Sequence, residues 1–155
     1  WQSLIPVELD KTRRLSEIPS ELEVISLEPT LPTDDPAKVK VSLGEQAKQH
    51  RLDTIRLGEE IGGRFLHSPK RYFGQERSFP ITLNGKEDNI PVNKLLQAAY
   101  AQLMNLTEEY RQRSLKCSQG KFYRAVVTYP TIASPFVRRE IEQLVKQLDI
   151  EDVQM

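Results

Sequence analysis

From Val92 to Tyr110 the apolar residues Val92, Leu95, Leu96, Ala99, Leu103, Leu106 and Tyr110 recur at spacings of three and four. That period predicts one amphipathic helix of about five turns, with Asn105 and the Gln and Glu residues between them facing water. Pro91 is placed to open it, because its fixed φ suits a first helical turn and its missing N–H has no partner to lose there. A single stripe of this length needs a core on one side only. The chain has 155 residues, enough for one ordinary domain and too few for two well-buried ones.

The rest of the chain must supply that core, and its first part is poor in helix. Pro6, Pro19, Pro29, Pro32 and Pro36 crowd the opening segment, so short strands are expected before residue 42. Glu21 to Leu27 alternates charged with apolar residues and Lys38 to Leu43 does so more cleanly, each the pattern of a half-buried strand. Glu45 to Leu52 reads as a short helix, and Asp53 to Gly63 as a helical or irregular segment. Phe79 to Leu83, Asn84-Gly85 and Lys86 to Ile90 form the pattern of a β-hairpin, since Asn-Gly supplies the two positive φ angles of a type I′ turn. Pro80 marks it as an edge hairpin.

Beyond the long helix, Ala125 to Tyr129 is a short apolar run stopped by Pro130 and is expected to be a strand buried on both faces. Ser134-Pro135 places a capping hydroxyl before a first-turn proline. Val137, Ile141, Leu144, Val145 and Leu148 then form a second helical stripe. The expected fold class is α/β. Residues 1–90 form a β-rich peripheral subdomain with short helices and the Asn-Gly hairpin, and 91–155 a helix-strand-helix part, together one cooperative unit.

Charge narrows the function. Twenty-two Lys and Arg balance twenty-two Asp and Glu, leaving no surplus to neutralise phosphates along a nucleic acid or to hold an anionic membrane. No apolar run approaches the ~20 residues of a membrane span. One cysteine, Cys117, forms no internal disulfide, and with His50 and His67 it makes no metal site. A reducing, cytoplasmic setting is expected. The chain starts at Trp1 with no signal-peptide pattern and ends on an acidic stretch, and it reads as a piece of a longer protein.

Few motifs carry chemistry. Gly58-Glu59-Glu60-Ile61-Gly62-Gly63 is glycine-rich but lacks the Gly-Lys-Ser/Thr ending of a P-loop and puts two carboxylates where phosphate would sit. Ser68-Pro69-Lys70-Arg71-Tyr72-Phe73-Gly74 interleaves two cations with two aromatics, which suits a small phosphate-facing patch, a stacked cation pair or a solvated turn. Arg138-Arg139 reads as a solvated helix face.

Taken in order, these segments resemble the first lobe of DnaK-type heat-shock chaperones, within the actin-like ATPase superfamily. Arg124-Ala-Val-Val-Thr-Tyr-Pro130 followed by a helix carrying Arg138, eight residues after the proline, is similar to the family's Ala-Val-Val-Thr-Val-Pro strand and helix. Upstream stand Pro19-Ser20, a strand ending in Gly44-Glu45-x-Ala47, the Lys70-Arg71-x-x-Gly74 motif, a hairpin and the long helix. Thr131-Ile-Ala-Ser-Pro135 replaces the family's Ala-Tyr-Phe-Asn-Asp, and the first 17 residues match nothing in it. In style the segment also resembles the divergent bacterial SrfB-type virulence-factor family.

The resemblance implies a partial nucleotide-binding lobe: a buried strand with two long helices, beside a small β-rich subdomain. Lys70 would reach the γ-phosphate and the attacking water, Pro130 would be a conformational switch, and Arg138 would relay nucleotide state to a protein partner. ATP and Mg²⁺ would be ligands of the parent protein. The family's two glycine-rich phosphate hairpins and its adenosine loop are not in this sequence. The rival expectation is a non-catalytic interaction scaffold that docks a partner through the Lys70-to-Phe73 patch or the proline-rich arm. On the lobe reading the chain folds but does not hold nucleotide, because a lone lysine in bulk water attracts a phosphate by only about 1 kcal/mol at 4 Å. Calorimetric titration of the 155-residue chain with Mg·ATP is expected to show no saturable heat at sub-millimolar ligand, and a micromolar site would refute that expectation.

Overall fold

The computed structural model describes residues 5–115, 119–129 and 131–155. Its first part is built round a strand, β1 (Glu21–Leu27), flanked by β2 (Val39–Leu43) and β3 (Phe65–His67) in antiparallel order β2-β1-β3. Helix α1 (Glu45–Arg56) follows β2 and lies on one face of this sheet. The hairpin β4 (Ser78–Leu83) and β5 (Lys86–Pro91) turns at Asn84 and Gly85, with φ of 52° and 75° as a type I′ turn requires. Leu22, Val24, Leu27, Val39, Val41 and Leu66 on the sheet meet Ile81, Leu83 and Ile90 of the hairpin in one apolar cluster.

The long helix is α2 (Val92–Ser114), with Pro91 as its N-cap. Val92, Leu95, Leu96, Ala99 and Tyr110 of the expected stripe are buried. The stripe is not its only packed face: Leu95 and Ala99 enter the first cluster, while Tyr100 and Met104 pack against a second. That second cluster centres on Ile141 and Val145 of α3 (Pro135–Lys146) and on Ile150. Ser134 caps α3 as expected, its Oγ accepting from Val137 N at 3.3 Å.

The strand after α2 corrects an expectation. β6 covers only Arg124–Val126, and Val126 is 69% exposed rather than buried on both faces. It pairs in parallel with β7 (Asp152–Gln154), a strand too short to register in the sequence pattern. One helix layer covers this pair: Ala125, Val127, Tyr129 and Val153 face the second cluster, while Arg124 meets Asp152 on the outside. A run of β-branched residues does not by itself distinguish one buried face from two. The architecture is thus mixed α/β, with three helices and three small sheets among the described residues. None of these helices is long and apolar enough to cross a membrane.

The charged face of β1 is also not where alternation places it. Glu21 and Glu23 are buried beneath α1 instead of facing water. Glu21 Oε1 lies 3.2 Å from Arg51 Nη2 and 2.9 Å from His67 Nδ1, and Glu23 Oε1 lies 2.7 Å from His50 Nδ1 and 3.9 Å from Arg64 Nε. Burial of a carboxylate is tolerable only with such partners. Each histidine is thereby engaged with a carboxylate.

Between sheet and hairpin stands one buried cation. Lys38 Nζ donates to the carbonyls of Pro29 and Leu31, both at 3.0 Å, and lies 2.6 Å from Asp88 Oδ2. The Lys38 ammonium beside it holds the Asp88 carboxyl below its ordinary value of 3.8, against the opposing effect of burial. A depressed folded-state pKa gives stability that is present above 3.8 and lost as pH falls below it through the folded value. Asp88→Asn is therefore expected to cost about 2 kcal/mol at neutral pH, because it leaves a buried ammonium with carbonyl partners only. Urea unfolding should show that gap narrowing below pH 3.8; equal stability at neutral pH would refute the tie.

Candidate functional site

The Lys70 motif is a turn wedged between the two clusters. Ser68 leaves β3 with φ of 49°, its N–H donating to Ser20 O at 2.7 Å, and Pro69–Tyr72 form a short 3-10 helix. The two aromatics then part. Tyr72 packs against the first cluster, edge-on to Phe79 with centroids 5.3 Å apart, and Phe73 joins the second, edge-on to Tyr100 at 6.0 Å. Arg77 lies over both Tyr72 and Phe79, at 5.5 and 4.5 Å from their centroids. Burial pushes the Tyr100 phenol up from its ordinary pKa.

Gly74 completes the turn. Its φ is 79° and its N–H donates to Glu140 Oε2 at 2.6 Å, while an added Cβ would stand 2.9 Å from Val137 Cγ2. Glycine is required here both for the backbone angle and for the close approach to α3. With the aromatics partly buried, the cations carry the most exposed side chains of the motif. Lys70 and Arg71 are exposed, and neither side chain has a hydrogen bond or ion pair with the described residues, although Gln75 Nε2 donates to the Arg71 carbonyl at 3.0 Å.

Arg138 is not a solvated residue. Its Nε donates to Ala133 O at 3.1 Å and its Nη2 to Thr131 O at 3.3 Å, and its guanidinium lies 4.6 Å from the Tyr129 ring centroid. The side chain clamps the loop between β6 and α3 from both sides of residue 130. Pro130 itself lies outside the described residues, as does Cys117. Ile132, at the tip of that loop, is 94% exposed. Among the described residues no hydrogen bond, ion pair or ring contact joins Lys70 to Arg138. The link is indirect, through Gly74 against Val137 and Glu140 in the first two turns of α3.

Beside the turn is a cleft of about 640 Å³, lined by Arg77, Asn89, Asn93, Phe136 and Glu140 among others, and Lys70 is not in its wall. Arg77 and Glu140 carried no signal in the sequence; only the packing of Tyr72 and Gly74 reveals them. The other glycine cluster is a packing device. Gly62 O accepts from Thr82 N at 2.7 Å, and a Cβ on Gly62 or Gly63 would fall 2.4 or 2.3 Å from the carbonyl oxygens of Thr82 and Pro80. Gly62 and Gly63 are committed to β4, while the N–H groups of Gly58 and Glu59 donate to α1, with Glu59 and Glu60 exposed. Among the described residues no three His, Cys, Asp or Glu side chains gather as a metal site.

No protein-family model matches this sequence, and no curated protein matches it. The geometry separates two kinds of residue within one motif. Gly74→Ala is expected to lower stability by about 2 kcal/mol, from the strained φ and the contact with Val137. Lys70→Ala is expected to change it by less than about 0.5 kcal/mol, as exposed substitutions do. Thermal unfolding of both variants checks this, and a large loss in Lys70→Ala would show that the lysine is structural.

Proposed function

We propose that the chain is part of the nucleotide-binding lobe of an actin-like, DnaK-related ATPase, possessing one wall of the site and the coupling loop. The observation that carries this reading is the Arg138 clamp. Its two hydrogen bonds and its stack on Tyr129 bracket position 130, where the reading needs a loop whose state is transmitted to a helix. Further support comes from the order strand, loop, helix, parallel strand in β6-α3-β7, and from Lys70 standing exposed and uncommitted on a turn fixed by both clusters.

The residues present fit ATP and Mg²⁺ in part. Lys70 is a free cation, but Gly62 and Gly63 are packed against β4, and the N–H groups of Gly58 and Glu59 donate to carbonyls of α1, so this segment supports no phosphate cradle. When bound by the whole protein, the metal ion would neutralise phosphate charge. This chain would add the ammonium of Lys70, carried on a turn that Tyr72 and Phe73 anchor. Such a charge at a transition state is worth about 3 kcal/mol, or ~100-fold in rate. Arg138 acts on a protein partner's response and not on the chemistry. The scaffold reading through the Lys70-to-Phe73 patch has less to present, since both aromatics are partly buried against the two clusters.

The test uses the full gene product. Lys70→Ala is expected to slow single-turnover phosphate release about 100-fold while nucleotide affinity changes far less. Arg138→Ala is expected to leave basal turnover intact and remove its response to a partner. A Lys70→Ala protein that hydrolyses ATP at the parent rate would overturn the lobe assignment.

A further inference from the structure

The outer edge of β2 is an unpaired strand edge facing a cleft. Two hydrogen bonds fix how β2 faces its neighbour: Glu28 N donates to Lys38 O at 2.9 Å, and Gly44 N donates to Glu21 O at 3.0 Å. In an antiparallel ladder, successive residues alternate between bonding their partner strand and facing away. The register is Glu23↔Ser42, Val24↔Val41, Ser26↔Lys40 and Leu27↔Val39, with a bulge at Ile25. Lys38, Lys40, Ser42 and Gly44 therefore bond toward β1, and Val39 and Val41 turn their N–H and C=O outward.

β2 is the outermost strand of its sheet, so those outward groups meet no fourth strand. No hydrogen bond from the described residues reaches the main chain of Val39 or Val41 on that side. Val39 and Val41 are buried as residues, 7% and 4% exposed, because their side chains enter the first cluster. The Ser42 hydroxyl beside them is also buried with no hydrogen-bond partner. Outward main-chain groups on an edge strand are left to the cleft beside them, where an added strand would pair them.

Next to this edge lies a cleft of about 540 Å³, lined by Val39 to Ser42 on one side and by α2 on the other. That volume is within the ~300 to 1,000 Å³ of ordinary ligand sites. The wall of α2 is low where it faces the cleft, with Ala98 and Ala101, and carries the carboxamides of Gln102 and Asn105, which make no side-chain hydrogen bonds to described residues. β2 and α2 pack directly on each other through Val39, Val41, Leu95 and Ala99, and the cleft opens along the strand edge above the helix, with donors and acceptors on both walls, the chemistry that accepts one more strand.

We propose that this cleft binds an extended segment of a partner protein, added as a strand beside β2. The repeat of outward main-chain groups at Val39 and Val41 matches a polypeptide, whose own N–H and C=O recur every second residue at about 6.6 Å. Charge does not select a polyanion here. Lys40 and Lys94 in the cleft are balanced by Asp34 and Asp35, and Lys38 is already neutralised by Asp88. Main-chain hydrogen bonds, not ion pairs, set the affinity. The small alanines on α2 favour small side chains at alternate positions of the bound segment. The proposal is independent of the nucleotide reading, for neither Lys70 nor Arg138 lines this cleft.

The probe is a library of random phage-displayed peptides panned on the 155-residue chain, with the most enriched sequence then synthesised. Amide hydrogen exchange in the isotope-labelled chain reads the edge directly. In the free chain Val39 and Val41 are expected to exchange faster than Lys40 and Ser42, and adding the peptide is expected to slow Val39 and Val41 about tenfold or more. Methylating the peptide's main-chain nitrogens on alternate residues is expected to abolish binding in one phase and spare it in the other. Ala101→Arg, which fills the cleft, is expected to weaken binding about tenfold, and raising salt is expected to change affinity by less than about threefold. The proposal is overturned if no peptide is enriched, if the selected peptide protects amides elsewhere, or if both methylation phases bind alike. It is equally overturned if Val39 and Val41 in the free chain already exchange as slowly as Lys40, or are protected by pairing of two copies. The exchange comparison in the parent chain stands whether or not Ala101→Arg folds.

Discussion

The burial of Glu21 and Glu23 is the constraint on which the first part of the molecule depends. β1 is the central strand of its sheet, and its apolar face of Leu22, Val24 and Leu27 belongs to the main cluster. The opposite face must then be covered although it carries carboxylates. α1 covers it and brings His50 and Arg51, while the neighbouring β3 segment brings Arg64 and His67. The helix is thus held by charge pairing more than by apolar area, and only Ala47 and Thr54 along it are buried. The layer is imperfect: the Nε atoms of Arg51 and Arg64 are buried without hydrogen-bond partners. Such a layer contributes more to a unique placement of α1 than to net stability.

From that sheet the remaining elements follow in sequence. Lys38 and Asp88 join it to the hairpin, the hairpin leads directly into α2, and α2 carries residues into both clusters. The segment proposed to face phosphate is placed where these parts meet. Lys70 owes its position to neighbours on either side of it, since Ser68 is bonded to the residue preceding β1 and Gly74 is bonded to α3.

Periodicity and turn chemistry made much of this legible. The Asn84-Gly85 turn, the Ser134-Pro135 cap and the α2 stripe are local signals, and each recurs in the structure. The signals that failed depended on distant partners. Alternation in Glu21–Leu27 marks a strand but does not say that its polar face will meet arginines thirty and more residues away. The run at Ala125–Tyr129 marks a strand but not how many layers cover it, and β3 and β7 have three residues each, too few to show a period. At the candidate site, Lys70 was visible as a cation among aromatics, yet the inward turn of Tyr72 and Phe73 was not. Arg138 looked solvated because its partners are carbonyl oxygens, which have no sequence signature.

The opposed anchoring of Tyr72 and Phe73 has a mechanical meaning. Adjacent side chains locked into different cores make the short helix a rivet through two plates. Rolling it is resisted, since turning one ring outward drives its neighbour against the packing on the other side. A change that moves the Lys70 backbone therefore strains the packing on both sides, that of the sheet and hairpin and that of α3. Displacement at this surface is in effect a measure of the angle between the two halves of the molecule.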